Sequence, residues 1–335
     1  MVLAGKQLIR RRDFIQLLAG AMITVPRHVA AQTTTKTFHL ASLSAGSSFL
    51  TNSPNIAMLL PTLAERGYKL GQNLEYTPYG ADMQLDQLPQ IARDIAANKI
   101  DAVVAFGYPP AAAMKGNDVP TVVAFGAGDP VATGLVDSLA RPGGNVTGIS
   151  DNAVTLSTKR LGLLKQAAPS IRKVAMLWNK KDLGMTLRYQ ASADAAKALD
   201  IIVQPLGVGE PDDFADAFTA MDRNPPDAIL MVSDALTILN RKRVFDYADK
   251  HRLPAIYESD PYVADGGLMS YGADRKESIT RAASLIDKIF RGAKPADLPF
   301  EEPTRYLFVI NLKTAKTIGL KIPAPVLALA DEVIE

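Results

Sequence analysis

TVVAFGAGDPVATGLVDSLARPGGNVTGIS, residues 121–150, is the stretch on which the fold turns. Val122–Phe125 is an apolar run short enough to be a buried strand. Gly126, Gly128, Asp129 and Pro130 then break it into a loop with little side-chain bulk. A second break at Arg141-Pro142-Gly143-Gly144 precedes another extended run, Asn145 to Ser150. On composition alone these residues are also compatible with an ordinary βα loop followed by a β-turn. Two breaks and two strands within residues 121–150 nevertheless fit a connection between lobes better than the interior of one sheet. In an open α/β sheet, ligands bind outside the carboxyl ends of the strands, which makes the first break a candidate ligand-facing loop.

Outward from this stretch, strands and helices alternate. Upstream, the pattern predicts a strand from Phe38, a helix at Pro54–Arg66 and a strand at Asn73–Tyr79. An amphipathic helix over Leu85–Lys99, a strand at Asp101–Phe106 and a helix through Met114 follow. Downstream, the same grammar repeats from the helix at about 156–167 to a strand at Ala255–Tyr257, with a helix predicted over Thr237–Lys250. Arg275–Arg291 is read as a long helix, because Ile279, Ala282, Ala283, Ile286 and Ile289 recur at helical spacing. Asp101-Ala102 and Asp227-Ala228 each precede an apolar strand, and Asp129-Pro130 and Asp260-Pro261 each follow one. This weak internal echo suits two similar lobes. Repeated βα units with apolar strands argue for parallel sheets covered on both faces.

A chain of 335 residues is long for one core and comfortable for two lobes. With 47% hydrophobic and 21% charged residues it reads as globular rather than disordered. Residues 1–31 carry Lys6, Arg10, Arg11, Arg12 and Arg27 against Asp13, and without them the net charge moves from +2 to −2. That balance offers no electrostatic footprint for nucleic acid. The leading segment reads as an export signal: twin arginines at Arg11-Arg12, an apolar stretch from Ile15 to Val25, and a small-residue cleavage site at Val29-Ala30-Ala31. Its apolar stretch is far short of the roughly 20 residues that a membrane-spanning helix needs. Cleavage after Ala31 is expected, leaving a periplasmic chain that begins at Gln32. The absence of cysteine excludes disulfides, thiolate metal sites, a cysteine nucleophile and a lipidated N-terminal cysteine.

Several long strings carry a family resemblance. GDPVATGLVDSLARPGGNVTGIS (128–150), RLPAIY (252–257), GGLMSYG (266–272), GAKPADLPFEEPT (292–304), INLKTAKTIGL (310–320) and ADEVIE (330–335) are very similar to segments of ABC-transporter substrate-binding proteins of the tryptophan/tyrosine-receptor type. The resemblance runs from about Ser42 to the last residue. It implies the type I periplasmic-binding-protein fold: α/β, with two Rossmann-like lobes whose parallel sheets are joined by three crossing strands. Carried over, the crossings lie near Gly148–Asn152, Ser270–Ala273 and Tyr306–Asn311. The expected organisation is a signal peptide at 1–31, a first lobe of 32–149 plus 273–305, and a second lobe of 150–272 plus 306–335. The implied function is a receptor that captures a small carboxylated ligand, namely an aromatic or branched amino acid or an aromatic acid. The expected partners are that ligand and an inner-membrane ABC permease, without nucleic acid, and the receptor is expected as a monomer. The alternatives weighed against it are a secreted α/β enzyme and a sensory protein for a sugar-like or nucleoside ligand.

Signals for catalysis are poor, and no catalytic residue, cofactor or metal is expected. Beyond the leader only His39 and His251 occur, far apart in sequence. Gly126-Ala127-Gly128 lacks the third glycine of a dinucleotide fingerprint, and Ser170-Ile171-Arg172-Lys173 falls in a turn after Pro169. Candidate ligand contacts lie instead at predicted strand ends. Ser44 and Ser47 follow the first strand, where they serve either a ligand or a helix N-cap. Gly107 and Tyr108 open a helix whose amides suit a carboxylate. Many members of the resembled family carry Ser or Thr at the position matched by Tyr108, and a phenol in place of a small hydroxyl leaves the ligand's identity open. Asp129 either holds an ammonium group or caps the next helix. Trp178 is either a stacking wall or core, and is followed by Asn179. Asp234, Tyr257 and Glu258 are the second-lobe counterparts. Asn152 ends the first crossing, and Tyr271 lies on the second, as cleft wall or hinge packing.

Overall fold

Short apolar runs separated by helices assemble here into two sheets. In the computed structural model, which describes residues 36–335, β1 (Phe38–Ser44), β2 (Leu74–Gly80), β3 (Ala102–Phe106), β4 (Thr121–Phe125) and β5 (Val146–Gly148) form the first. Their order is β2-β1-β3-β4-β5, and every pairing is parallel. The second sheet holds β6 (Lys173–Asn179), β7 (Ile202–Val208), β8 (Ala228–Met231), β9 (Ala255–Tyr257), β10 (Met269–Ala273), β11 (Tyr306–Asn311) and β12 (Glu332–Ile334) in the order β12-β11-β10-β9-β8-β6-β7. The export-signal expectation for residues 1–31 lies outside the described residues. Strands β3, β8 and β9 are buried along their whole length, as strands covered on both faces must be. The second sheet departs from an all-parallel arrangement in one pairing, because β11 runs antiparallel to β10.

That reversal follows from the path of the chain. After β10, Asp274 caps the Arg275–Phe290 helix by accepting from the Lys276 and Glu277 amides. The apolar stripe of this helix (Ile279, Ala282, Ala283, Ile286, Ile289) packs into one core with Ile56, Leu59 and Leu63 of the Pro54–Glu65 helix and with Val122 and Ala124 of β4. The helix therefore belongs with the first sheet, although the strands on either side of it in sequence belong to the second. The chain passes between the sheets at 149–152, at Asp274 and at 302–305. These passages are tied together: the Ser150 amide donates to the Glu301 carbonyl (2.7 Å) and the Asp274 amide to the Arg305 carbonyl (2.9 Å). The segments expected to cross at Ser270–Ala273 and Tyr306–Asn311 are instead strands of the second sheet, and the passages lie just outside them.

Two further differences from the sequence reading have local causes. The helix predicted over Thr237–Lys250 is two helices, Ala235–Leu239 and Arg241–His251, broken at Asn240. The Asp260–Ala264 helix, not among the predicted elements, has Pro261 in its first turn, where proline's missing N–H costs nothing. Among the described residues, no helix is long and apolar enough to cross a membrane.

Candidate functional site

Strand order fixes where a ligand can sit. The order of successive strands reverses between β1 and β3 in the first sheet, and between β6 and β8 in the second, although the strands themselves run parallel. Such switch points open a crevice at the carboxyl ends of the strands. Here the two crevices face each other across a cavity of about 630 Å³. From the first lobe it is lined by Ser44 after β1, Phe106 and Gly107 after β3, and Phe125 and Gly126 after β4. From the second it is lined by Asn179 after β6, Ser233 and Asp234 after β8, and Glu258 after β9.

One wall is aromatic. Phe106 packs edge-on against Phe49 (ring centroids 4.9 Å apart) and at a tilt against Phe125 (5.3 Å), and all three line the cavity. Two of the three come from a repeat visible in the sequence, Val-Val-Ala-Phe-Gly at 103–107 and again at 122–126. Leu85, Leu156 and Met185 extend the apolar lining.

The floor is a buried ion network. Arg188, 5% exposed, donates from Nη1 to Glu258 Oε2 (2.6 Å) and from Nη2 to Asp151. Arg160 donates from Nη1 to Glu258 Oε1 (2.8 Å) and from Nε to the Tyr271 carbonyl (2.7 Å). Asp151 also accepts the Gly126 and Gly128 amides at 2.8 and 2.7 Å, so one carboxylate joins a first-lobe loop to a second-lobe helix. Burial opposes ionisation of Glu258, but the guanidinium groups of Arg160 and Arg188 outweigh it and hold the carboxyl below its usual range.

Five charged residues lining the cavity lie outside this network: Asp182, Asp234, Arg275 and the Arg241–Asp265 pair. Asp182, 3% exposed, caps the Leu183–Lys197 helix through the Met185 amide (3.2 Å). Burial first, and the nearby Asp234 second, push its carboxyl up to about 7. Asp234 caps the Ala235–Leu239 helix through the Thr237 amide (2.9 Å), accepts Asn179 Nδ2 (2.5 Å), and is likewise raised by burial. Arg275, half-buried on the cavity wall, makes no ion pair or hydrogen bond through its side chain among the described residues. Arg241, by contrast, is held by Asp265 at 2.7 Å.

The lobes touch around this cavity. A Cβ on Gly128 would lie 3.0 Å from the Cα of Gly184, and one on Gly184 would lie 3.0 Å from Tyr108 Cβ, so backbones from opposite lobes approach as only glycines permit. Gly128 also has φ +69°, in the left-handed region. Met83 of the first lobe packs against the second-lobe core that contains Leu236 and Tyr262.

Of the residues singled out in the sequence, Ser44, Ser47, Gly107, Asn179, Asp234 and Glu258 line the cavity. Tyr108, Asp129, Asn152, Trp178, Tyr257 and Tyr271 do not. Alternation along a strand explains two of these: successive side chains face opposite ways, so Asn179 and Glu258 reach the cavity while Trp178 and Tyr257 turn into the core. Trp178 stacks on Tyr189 (3.7 Å, 5°) and Tyr257 on Tyr262 (5.3 Å, 4°). Tyr271 stacks on Tyr306 (6.2 Å), and Asn152 Nδ2 donates to the Tyr306 hydroxyl (3.3 Å), so both act in packing around the passages between lobes. Asp129 accepts the Val131 and Ala132 amides at 3.0 and 2.9 Å within a non-helical turn outside the cavity, so it neither caps a helix nor faces the cavity as an ammonium contact would. The helix expected to offer its amides to a carboxylate, Tyr108–Met114, has prolines at 109 and 110, which carry no N–H. Tyr108 itself lies at the lobe contact beside Gly184. Among the described residues no group of His, Asp or Glu is arranged to hold a metal ion.

A family model described as ABC transporter substrate binding protein matches residues 57–334. A tyrosine-binding protein of Clostridioides difficile (strain R20291) is 25% identical over 264 residues, covering 78% of this chain and 75% of that protein. Among solved structures, a conserved domain protein from Vibrio cholerae is 25% identical with a TM-score of 0.81, over 89% of this chain and 100% of that one. An ABC domain from Streptococcus pneumonia in complex with L-Trp is 26% identical with a TM-score of 0.79, over the same shares of the two chains. The fold is that of type I periplasmic binding proteins.

Proposed function

The chain belongs to the ABC transporter substrate binding proteins, and on that premise we propose that it is the exported receptor of an importer, closing its two lobes around an amino acid with a large, preferably aromatic, side chain. The observation that carries this reading is the pairing, in one cavity, of an aromatic wall with unpaired charge of both signs. Phe49, Phe106 and Phe125 suit a flat apolar group. Arg160, Arg188 and Arg241 are occupied by acidic partners, which leaves Arg275 for a carboxylate and the Asp182–Asp234 side for an ammonium group. A zwitterion with an apolar side chain complements all three features. The tyrosine-binding relative and the L-Trp complex support the same ligand class. Nothing in this reading requires covalent chemistry: the ligand stabilises the closed state by touching both lobes, and an inner-membrane permease receives it. The twin arginines at Arg11-Arg12 and the Val29-Ala30-Ala31 site support export to the periplasm.

A thermal-shift panel of L-tryptophan, L-tyrosine, L-phenylalanine, L-leucine, indole-3-propionate, sugars and nucleosides tests this. At a hundredfold excess over the dissociation constant, a true ligand stabilises the folded state by about 2.7 kcal/mol. In a chain of this size that is a rise of several degrees, at roughly 2–4 °C per kcal/mol. The aromatic amino acids are expected to give the largest rise. Stabilisation by sugars or nucleosides alone would contradict the reading.

A further inference from the structure

We propose that Tyr76, which does not itself line the cavity, is a positioning residue for ligand capture: its hydroxyl tethers the main chain at Phe49 and so fixes the ring that the aromatic wall presents to the ligand. The proposal rests on the amino-acid reading above and deepens it by naming what sets the geometry of the wall.

Phe49 needs a tether because its neighbours in sequence do not supply one. It lies in the irregular segment between β1 and the Pro54–Glu65 helix. The start of that segment is pinned to the residues just after β2. There the Asp82 and Met83 amides donate to the Gly46 and Ala45 carbonyls at 3.0 and 2.8 Å, and Ser44 Oγ donates to the Ser47 carbonyl at 2.8 Å. A Cβ on Gly80 would lie 2.3 Å from the Ser48 nitrogen, so the two backbones meet at that point. The far end is a turn into the helix, closed by the Ser53 amide on the Leu50 carbonyl (2.9 Å). Phe49 stands between these fixed ends, and among the described residues its main chain makes no backbone–backbone hydrogen bond.

The bond it does make comes from the Tyr76 hydroxyl, which donates to the Phe49 carbonyl (2.5 Å). A carbonyl has no proton to give, so the single O–H of Tyr76 is committed there. Ser42 Oγ, 2.7 Å away, must then donate to the Tyr76 oxygen. Ser42 is fully buried on β1, and Tyr76 stands on β2 opposite Leu40, two residues before it. That is a diagonal cross-strand reach that an aromatic side chain can span. The sheet thus holds the loop through a serine and a tyrosine in series. Burial pushes the pKa of Tyr76 up to about 12, so its hydroxyl remains a donor at neutral pH.

The tether matters because of what Phe49 carries. Its ring meets Phe106 edge-on at 4.9 Å, and Phe106 in turn meets Phe125. Phe106 and Phe125 are the last residues of β3 and β4, so their backbones are held by the sheet. Phe49 is the member of the wall that belongs to no strand or helix. Edge-to-face packing depends on ring orientation, so a loop free to rotate at Phe49 would present a blurred surface to a flat ligand.

Calorimetry with L-tryptophan on the full chain, in a double-mutant cycle of Tyr76→Phe and Phe49→Ala, tests this. Tyr76→Phe keeps the ring and removes the hydroxyl. It is expected to weaken L-tryptophan about three- to tenfold, the effect of one net hydrogen bond. In the Phe49→Ala background the same change is expected to cost less than about twofold, because no ring is left to position. The melting temperature of each empty variant is read alongside, since a purely structural bond lowers it equally in both backgrounds. An affinity loss from Tyr76→Phe that is the same with and without the Phe49 ring would overturn the proposal. Unchanged L-tryptophan affinity in Tyr76→Phe would overturn it as well, while leaving the amino-acid reading intact. Failure of the wild type to bind L-tryptophan, L-tyrosine or L-phenylalanine would overturn both.

Discussion

Arg188→Ala is expected to lower the stability of the empty receptor by about 3–5 kcal/mol, because it leaves buried acidic groups without their cation. Arg188 is 5% exposed and holds Glu258 at 2.6 Å as well as Asp151. Its loss also frees Asp151 from the contact that ties the Gly126–Gly128 loop to the second lobe. At roughly 2–4 °C per kcal/mol, the melting temperature falls by about 6–20 °C. The pH dependence has a definite sign. Glu258 has a depressed folded-state pKa, so its contribution is present above the unfolded value and is lost as pH falls through the folded one. The deficit of Arg188→Ala therefore peaks near neutrality and shrinks on acidification. Arg188→Lys recovers only part of it, since one ammonium group cannot fork to two carboxylates as a guanidinium does. A loss below about 1 kcal/mol at neutral pH would contradict the network's role.

Gly184→Leu is expected to abolish tight ligand capture with little effect on the empty protein. Gly184 meets Gly128 across the lobe contact with no space for a Cβ on either side, and Tyr108 Cβ closes the third side. A leucine there acts as a wedge. In a helix leucine is better than glycine by up to about 1 kcal/mol, so the open form is not penalised. If the wedge reduces the closed population to about one part in a hundred, apparent affinity falls by about the same factor. Calorimetry with L-tryptophan reads the affinity, and the melting temperature of the empty variant is the control. Wild-type affinity in Gly184→Leu would mean that the two lobes need not meet at this point.

Much of the architecture was legible because it follows from periodicity. The strands are short apolar runs bounded by Gly, Pro and Asp, and the stripe on Arg275–Phe290 was plain before its packing was known. The return of that helix to the first sheet is not a local property, and it came from the resemblance and not from the pattern. At the site, strand ends that line the cavity were legible, while side-chain direction was left open for Trp178 and not foreseen for Tyr257. Asn179 and Glu258 face the cavity, while their neighbours Trp178 and Tyr257 pack into the core. A large aromatic at a strand end attracts notice as a ligand wall, yet alternation gave it to the other face. The phenylalanine wall was available in the repeated Val-Val-Ala-Phe-Gly, where each phenylalanine is the last residue before the turn. Arg160 and Arg188 had no such signal. A charged residue within a helix reads as solvated until packing buries it, and here Arg160 and Arg188 are buried against Glu258 and Tyr271 of their own lobe.

The central claim is that an aromatic amino acid lies between the lobes with its ends sorted by charge, and a crystal structure grown with L-tryptophan tests it most directly. The indole ring is predicted against Phe106, between Phe49 and Phe125. The ammonium group is predicted within about 3 Å of Asp182 or Asp234, and the carboxylate at a similar distance from Arg275. Tryptophan bound outside the cavity, or with its carboxylate turned to Asp182 and Asp234, would contradict the account.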